Sequence, residues 1–218
     1  MSINIPYLGP EQVPSLIPVF PLAGALLLPR GQLPLNIFEP RYLAMVEAAL
    51  RGERVIGLIQ PAADEAAPAL APIGCAGRIT QFAETGDERY LVTLTGIARF
   101  RIVEELAVST PYRQCRVDFS GFASDFTPRA GEDAVDRDSV LKTLREFADA
   151  NDLQIDWQSI REAPNEALVN ALSMLSPYGP REKQALLEAP NLKRRAEVLV
   201  AITEVELARA KGASRPLQ

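Results

Sequence analysis

The 218-residue sequence predicts an α+β protein with its strands first and its helices after them. Three observations carry this. Up to about residue 120 the apolar residues fall in short runs with a period near two, and from about 130 they recur at helical spacing. Eighteen prolines, roughly 8% of the chain against a usual 5% or so, suit many short strands with exposed edges better than a buried parallel sheet. Gly96 interrupts an otherwise continuous strand pattern, and such a glycine marks a bulge or bend of the kind that lets a sheet close on itself.

The strand-like runs are LIPVF (16–20), PLNIF (34–38), RVIGLIQ (54–60), GRITQF (77–82), RYLVTLT (89–95), ARFRIV (98–103) and YRQCRVDF (112–119), each bounded by Pro, Gly or acidic turn residues. In RYLVTLT, Tyr90, Val92 and Leu94 alternate with Leu91, Thr93 and Thr95, so one set faces inward. Gly86-Asp87 lies between two of these runs and offers the positive φ of a tight hairpin, which makes them antiparallel neighbours.

LPLNIFEPRYLAMV (33–46) marks the passage from strand to helix. The residue before a proline is pushed out of the α region, whereas proline suits the first helical position, so Glu39 is read as N-cap and Pro40 as N1. Phe38 and Leu43 have the spacing of a hydrophobic staple, Leu43, Val46 and Leu50 face inward, and Arg51-Gly52 closes the helix. Glu39 and Arg41 are therefore boundary residues rather than an acid–base pair.

The stretch 121–133, GFASDFTPRAGED, mixes Gly, Pro, Ser and acids with few anchors, and the expected division is a barrel over 1–122, a linker over 123–132 and a helical bundle over 133–218. In the bundle, Asp133, Asp136 and Asp138 cap and charge a helix that places Val140, Leu141, Leu144, Phe147 and Ala148 on one stripe. NEALVNALSML follows with Leu168, Val169, Leu172 and Leu175, then REKQALLEA from Pro180. A last long helix turns Leu192, Leu199, Ile202 and Val205 inward.

Composition excludes much chemistry. The chain has no histidine, which removes Ser-His-Asp and Cys-His nucleophile systems and histidine zinc sites. Cys75 and Cys115 stand far apart and read as buried free thiols. The phosphate-binding G-x-x-x-x-G-K-[ST] pattern and the EF-hand order are absent, IGCAGRI (73–79) lacks the dinucleotide fingerprint, and nothing local supports a Ser-Lys pair. No catalytic, cofactor-binding or metal-binding residue is therefore assigned. A net charge of -5 argues against nucleic acid bound through its phosphates. The start has neither the basic nor the apolar region of a secretory signal, and no apolar run is long enough to span a membrane, so a cytoplasmic protein is expected.

IPVFPLAGALLLPRGQLPLNIFEPRYLAMV (17–46), IGCAGRI (73–79), YLVTLTGIARFRI (90–102) and REKQALLE (181–188), in this order, resemble the Lon protease N-terminal, or substrate-binding, domain family in its short stand-alone bacterial form, over roughly residues 14–210. The resemblance implies a six-stranded PUA-like pseudo-barrel with one short helix, then a helical bundle ending in a long helix. It also implies a non-enzymatic module that binds unfolded or degron-bearing polypeptides and delivers them as a protease or chaperone adaptor. The ATPase and peptidase modules of full-length Lon find no counterpart in the sequence, so the family's catalytic residues have no positions here.

The expected peptide contact is Leu26, Leu27, Leu28, Pro29 and Arg30, because a strand cannot bury three consecutive leucines on one face. Two other readings compete. PUA-like barrels often bind RNA, and Arg78, Arg99, Arg101, Arg113 and Arg116 are concentrated in the strands. A cleft between the two halves is the alternative place for a small molecule.

Overall fold

The computed structural model describes residues 5–62 and 69–213. It contains β1 (Leu16–Pro21), β2 (Gln32–Ile37), α1 (Pro40–Arg51), β3 (Val55–Ile59), β4 (Ile73–Thr85), β5 (Arg89–Glu105) and β6 (Arg113–Asp118). Five helices follow: α2 (Arg137–Ala150), α3 (Trp157–Glu162), α4 (Asn165–Leu175), α5 (Pro180–Glu188) and α6 (Leu192–Ala213). The chain divides into two compact units at Pro128 and Arg129.

The six strands form one sheet in the order β2-β5-β4-β3-β1-β6, and β6 also pairs with β5. That last pairing closes a five-stranded barrel and leaves β2 attached to the other end of β5. RYLVTLT and ARFRIV are thus one strand rather than two. Across β4 the register jumps between Ala76, opposite Ala98, and Gly77, opposite Gly96, so Ile97 is the extra residue of a bulge. A side chain at 96 would force the backbone to shift, since a Cβ there would stand 2.0 Å from the carbonyl oxygen of Leu28. Inside the barrel Phe100 fills the centre, and it fits because a Cβ at Gly74 would stand 2.5 Å from its ring.

The β4–β5 turn differs from the expected tight hairpin. Thr85 pairs with Arg89, leaving three turn residues, and the positive φ falls on Glu88 (60°) rather than on Gly86. A three-residue loop needs its left-handed residue last, just before the returning strand.

Helix α1 begins at Pro40 and ends at Arg51, with Glu39 extended at the N-cap. Its buried stripe is Tyr42, Met45, Val46 and Ala49, one residue away from the expected Leu43 and Leu50. Phe38 stays exposed beneath the Arg89 guanidinium, 5.7 Å away.

The segment read as linker is ordered on both sides of the division. Ser120–Phe126 forms 3-10 turns in which Asp125 and Phe126 are buried, and Glu132 is buried in the helical unit. In that unit Asp136 caps α2 by accepting from the Ser139 N–H at 3.1 Å. Asp156 caps α3, which periodicity did not reveal, and the Ser159 hydroxyl holds its carboxyl below the usual carboxylate range. Leu175 and Val205 prove exposed: Leu175 is the last residue of α4, and Val205 lies across the helix from the buried stripe of α6, which is Ala196, Leu199, Thr203 and Leu207.

Candidate functional site

The residues Leu26, Leu27 and Leu28 are 2%, 1% and 0% exposed, and Pro29 is buried with them. They form no strand. Residues 25–28 have irregular backbone, so the alternation that would have forced one leucine outward does not operate. Arg30 then takes a left-handed conformation (φ 65°), and its N–H donates to the Gly96 carbonyl at 2.8 Å while the Gly96 N–H donates to Gly31 at 2.9 Å. The three leucines are core residues and offer no surface to a ligand. Arg30 alone of the five expected residues reaches a groove.

Beneath that groove lies a buried ion pair. Arg99, 1% exposed, donates its backbone N–H and Nε to Asp125 Oδ2 at 3.0 and 2.8 Å, and its Nη2 to Oδ1 at 2.8 Å. Arg30 Nη1 donates to the Asp125 carbonyl at 2.6 Å, and the Phe122 ring lies 4.7 Å from the Arg99 guanidinium. Alternation sends Arg99 away from Phe100 and the barrel interior, and the Ser120–Phe126 turns cover it from outside. Sequence reading missed this pair because Asp125 lay in the supposed linker. The available signal was an arginine between two apolar inward residues, Ala98 and Phe100.

Above the pair, Arg30, Arg78, Thr80, Thr95, Ile97 and Phe126 line a groove of about 420 Å³. A second, shallower depression of about 510 Å³ is lined by Pro34, Asn36, Gln81, Phe82, Leu91 and Thr93. The two lie in line, because Leu91, Thr93 and Thr95 alternate onto the same face of β5. Side-chain contacts bridge β4 and β5 along the way: Thr80 Oγ1 meets Thr95 Oγ1 at 2.9 Å, and Thr93 Oγ1 donates to Gln81 Oε1 at 3.0 Å. At the outer end Leu91 is 49% and Phe82 42% exposed. There β2 is the last strand of the sheet, and β3 accompanies β4 only from Cys75 to Arg78, so both flanking edges are open among the described strands. Such a face can pair with extended backbone along an edge and can bury apolar side chains. It contains no pair of carboxylates set for proton transfer.

The other candidate groups have structural partners. Glu39 accepts from Arg41 Nε at 2.9 Å, as a boundary pair. Arg113 binds Glu105 through Nε at 2.5 Å, and this hydrogen bond holds the Glu105 carboxyl below its ordinary range. Arg116 faces Glu104 at 3.5 Å, and Arg99 is buried, so the strand arginines do not make one open cationic stripe. Burial pushes the Cys115 thiol up to about 11, which leaves it protonated and inert. Lys183, lowered by burial, donates Nζ to the Met174 carbonyl near the end of α4, while Ser173 Oγ donates to Val169. Among the described residues no cluster of three metal-ligating side chains occurs, and no helix is long and apolar enough to cross a membrane.

A closed barrel with one open-faced flap, followed by a set of helices, defines an α+β protein with a groove along β5. The chain belongs to the family described as the ATP-dependent protease La (LON) substrate-binding domain, whose model matches residues 16–204. It is similar to Lon protease 2 of Myxococcus xanthus, with 35% identity over 50% of this chain and 13% of that protein. It is also similar to Lon protease 2 of Sorangium cellulosum, with 26% identity over 89% of this chain and 25% of that one. The chain thus matches a quarter or less of the length of these relatives. Its fold resembles the crystal structure of a Lon N-terminal domain protein from Xanthomonas campestris (TM-score 0.62, 22% identity, covering 85% of this chain and 97% of that one). It also resembles the N-terminal domain of Mycobacterium avium complex Lon protease (TM-score 0.64, 18% identity, covering 87% and 98%).

Proposed function

We propose that the protein recognises unfolded or degron-bearing polypeptides on the open face of β5, performs no chemistry on them, and acts as an adaptor toward a protease or chaperone. The observation that carries the site is the exposure of Leu91 and Phe82 on a face with open strand edges. Family membership supplies the class of ligand. Apolar contact over a short segment gives modest affinity, on the order of micromolar or about -8 kcal/mol. The reading places the protein in the cytoplasm, where free thiols such as Cys75 and Cys115 stay reduced.

Titration of fluorescein-labelled, carboxymethylated α-lactalbumin, a permanently unfolded chain, tests this by fluorescence anisotropy. Saturable binding near the micromolar range is expected. Flat anisotropy up to roughly hundreds of micromolar, weaker than about -5 kcal/mol, removes the reading.

A further inference from the structure

One wall of the groove is already a peptide segment, and it is the protein's own. Residues 5–8 run outside helix and strand, with Ile5 63% and Leu8 76% exposed. Between them Pro6 and Tyr7 help to line the 420 Å³ groove. A single side chain grips the segment twice. Arg78 Nη1 donates to the Ile5 carbonyl at 2.6 Å, and the Arg78 guanidinium lies 4.2 Å from the centre of the Tyr7 ring.

We propose that this N-terminal arm is a built-in competitor for the polypeptide groove, held on Arg78 and displaced when an external segment binds along β5. The inference rests on the reading of this face as a polypeptide site. Its warrant is chemical. A backbone carbonyl on a guanidinium is a contact that any extended polypeptide can make, and a ring stacked against it one that any aromatic side chain can make, so arm and ligand use the same groups. The depression around Leu91 stays open, whereas at the Arg78 end the arm forms one wall and takes up the Arg78 guanidinium; a ligand that uses Arg78 must move the arm. Tethering favours the arm, because a linked segment is present at an effective concentration of about millimolar even if its intrinsic grip is weak. The rest of the hold is small, the packing of Tyr7 against the core and the Leu8 N–H donated to Gln12 Oε1 at 2.8 Å, and Ile5 and Leu8 stay exposed, which suits a contact that releases.

The test uses the full chain and the labelled α-lactalbumin. Tyr7→Ala removes the ring from the arm and leaves Arg78 in place, so binding tightens about three- to tenfold. Arg78→Gln frees the arm too but removes the group that greets the ligand, so it shows no such gain. A synthetic Ile-Pro-Tyr-Leu peptide, added to the Tyr7→Ala chain, displaces the probe without any further substitution. A Tyr7→Ala chain that binds as before or more weakly, with the peptide failing to compete, overturns the inference while leaving the polypeptide site in place. An arm with a merely structural role gives that result together with a lower Tm. Absence of binding by wild type and both variants overturns the inference and the site together.

Discussion

The two halves of β5 share one backbone and have opposite surroundings. From Ala98 to Phe100 the strand is walled in, with Phe100 filling the barrel on one side and Arg99 sealed by Asp125 on the other. From Arg89 to Thr95 it is the middle of a three-stranded flap whose Leu91 side chain remains half exposed. The bulge at Ile97 lets a single strand do both, by exchanging β2 for β6 as its neighbour. The closed half anchors the protein, and the flap carries the proposed recognition surface. Stability and binding should therefore separate along this strand.

The sharpest way to break that separation is to open the closed half. Asp125→Ala leaves Arg99 buried without its carboxylate, and losing one partner of a buried pair costs about 3–5 kcal/mol; a urea unfolding midpoint close to wild type would show that the pair does not seal the barrel. Gly96→Ala comes next. Its methyl group meets the Leu28 carbonyl, and overpacking of this kind costs about 1–3 kcal/mol, read in the same unfolding experiment.

On the flap, Leu91→Ser should alter stability by no more than about 0.5 kcal/mol. It should nevertheless weaken binding of the unfolded probe by up to about tenfold, the worth of roughly 1.4 kcal/mol of apolar contact. Equal losses of stability and affinity would erase the distinction between the halves. The smallest effect concerns Cys115 on β6. Burial raises its thiol from 9.0 to about 11, so the folded state holds a proton that the unfolded chain releases between these values. Stability therefore falls as pH rises from about 9 to about 11, and is unaffected by this group below that window. Comparing wild type with Cys115→Ala by thermal unfolding across that range isolates the contribution.

Features governed by neighbours in the chain were legible beforehand. Glu39-Pro40 and Arg51-Gly52 set both ends of α1, and Asp136 caps α2, because capping and proline sterics act within a turn. Features governed by distant segments were not. The leucines at 26–28 were read against strand alternation, yet their backbone is irregular and all three go inward. Asp125 looked like a linker acid until Arg99, 26 residues earlier, became its partner. The groove needs Arg30, Arg78, Thr95 and Phe126 from four separate stretches, so no local pattern announced it.

By itself the sequence determined the α+β class, the order of strands and helices, and the lack of histidine chemistry, since these follow from periodicity, local sterics and composition. Only the tertiary structure decided which apolar residues are hidden and where the open face lies. Burial depends on what the closing strand and the Ser120–Phe126 turns cover, and that is settled by pairings between residues far apart in the chain.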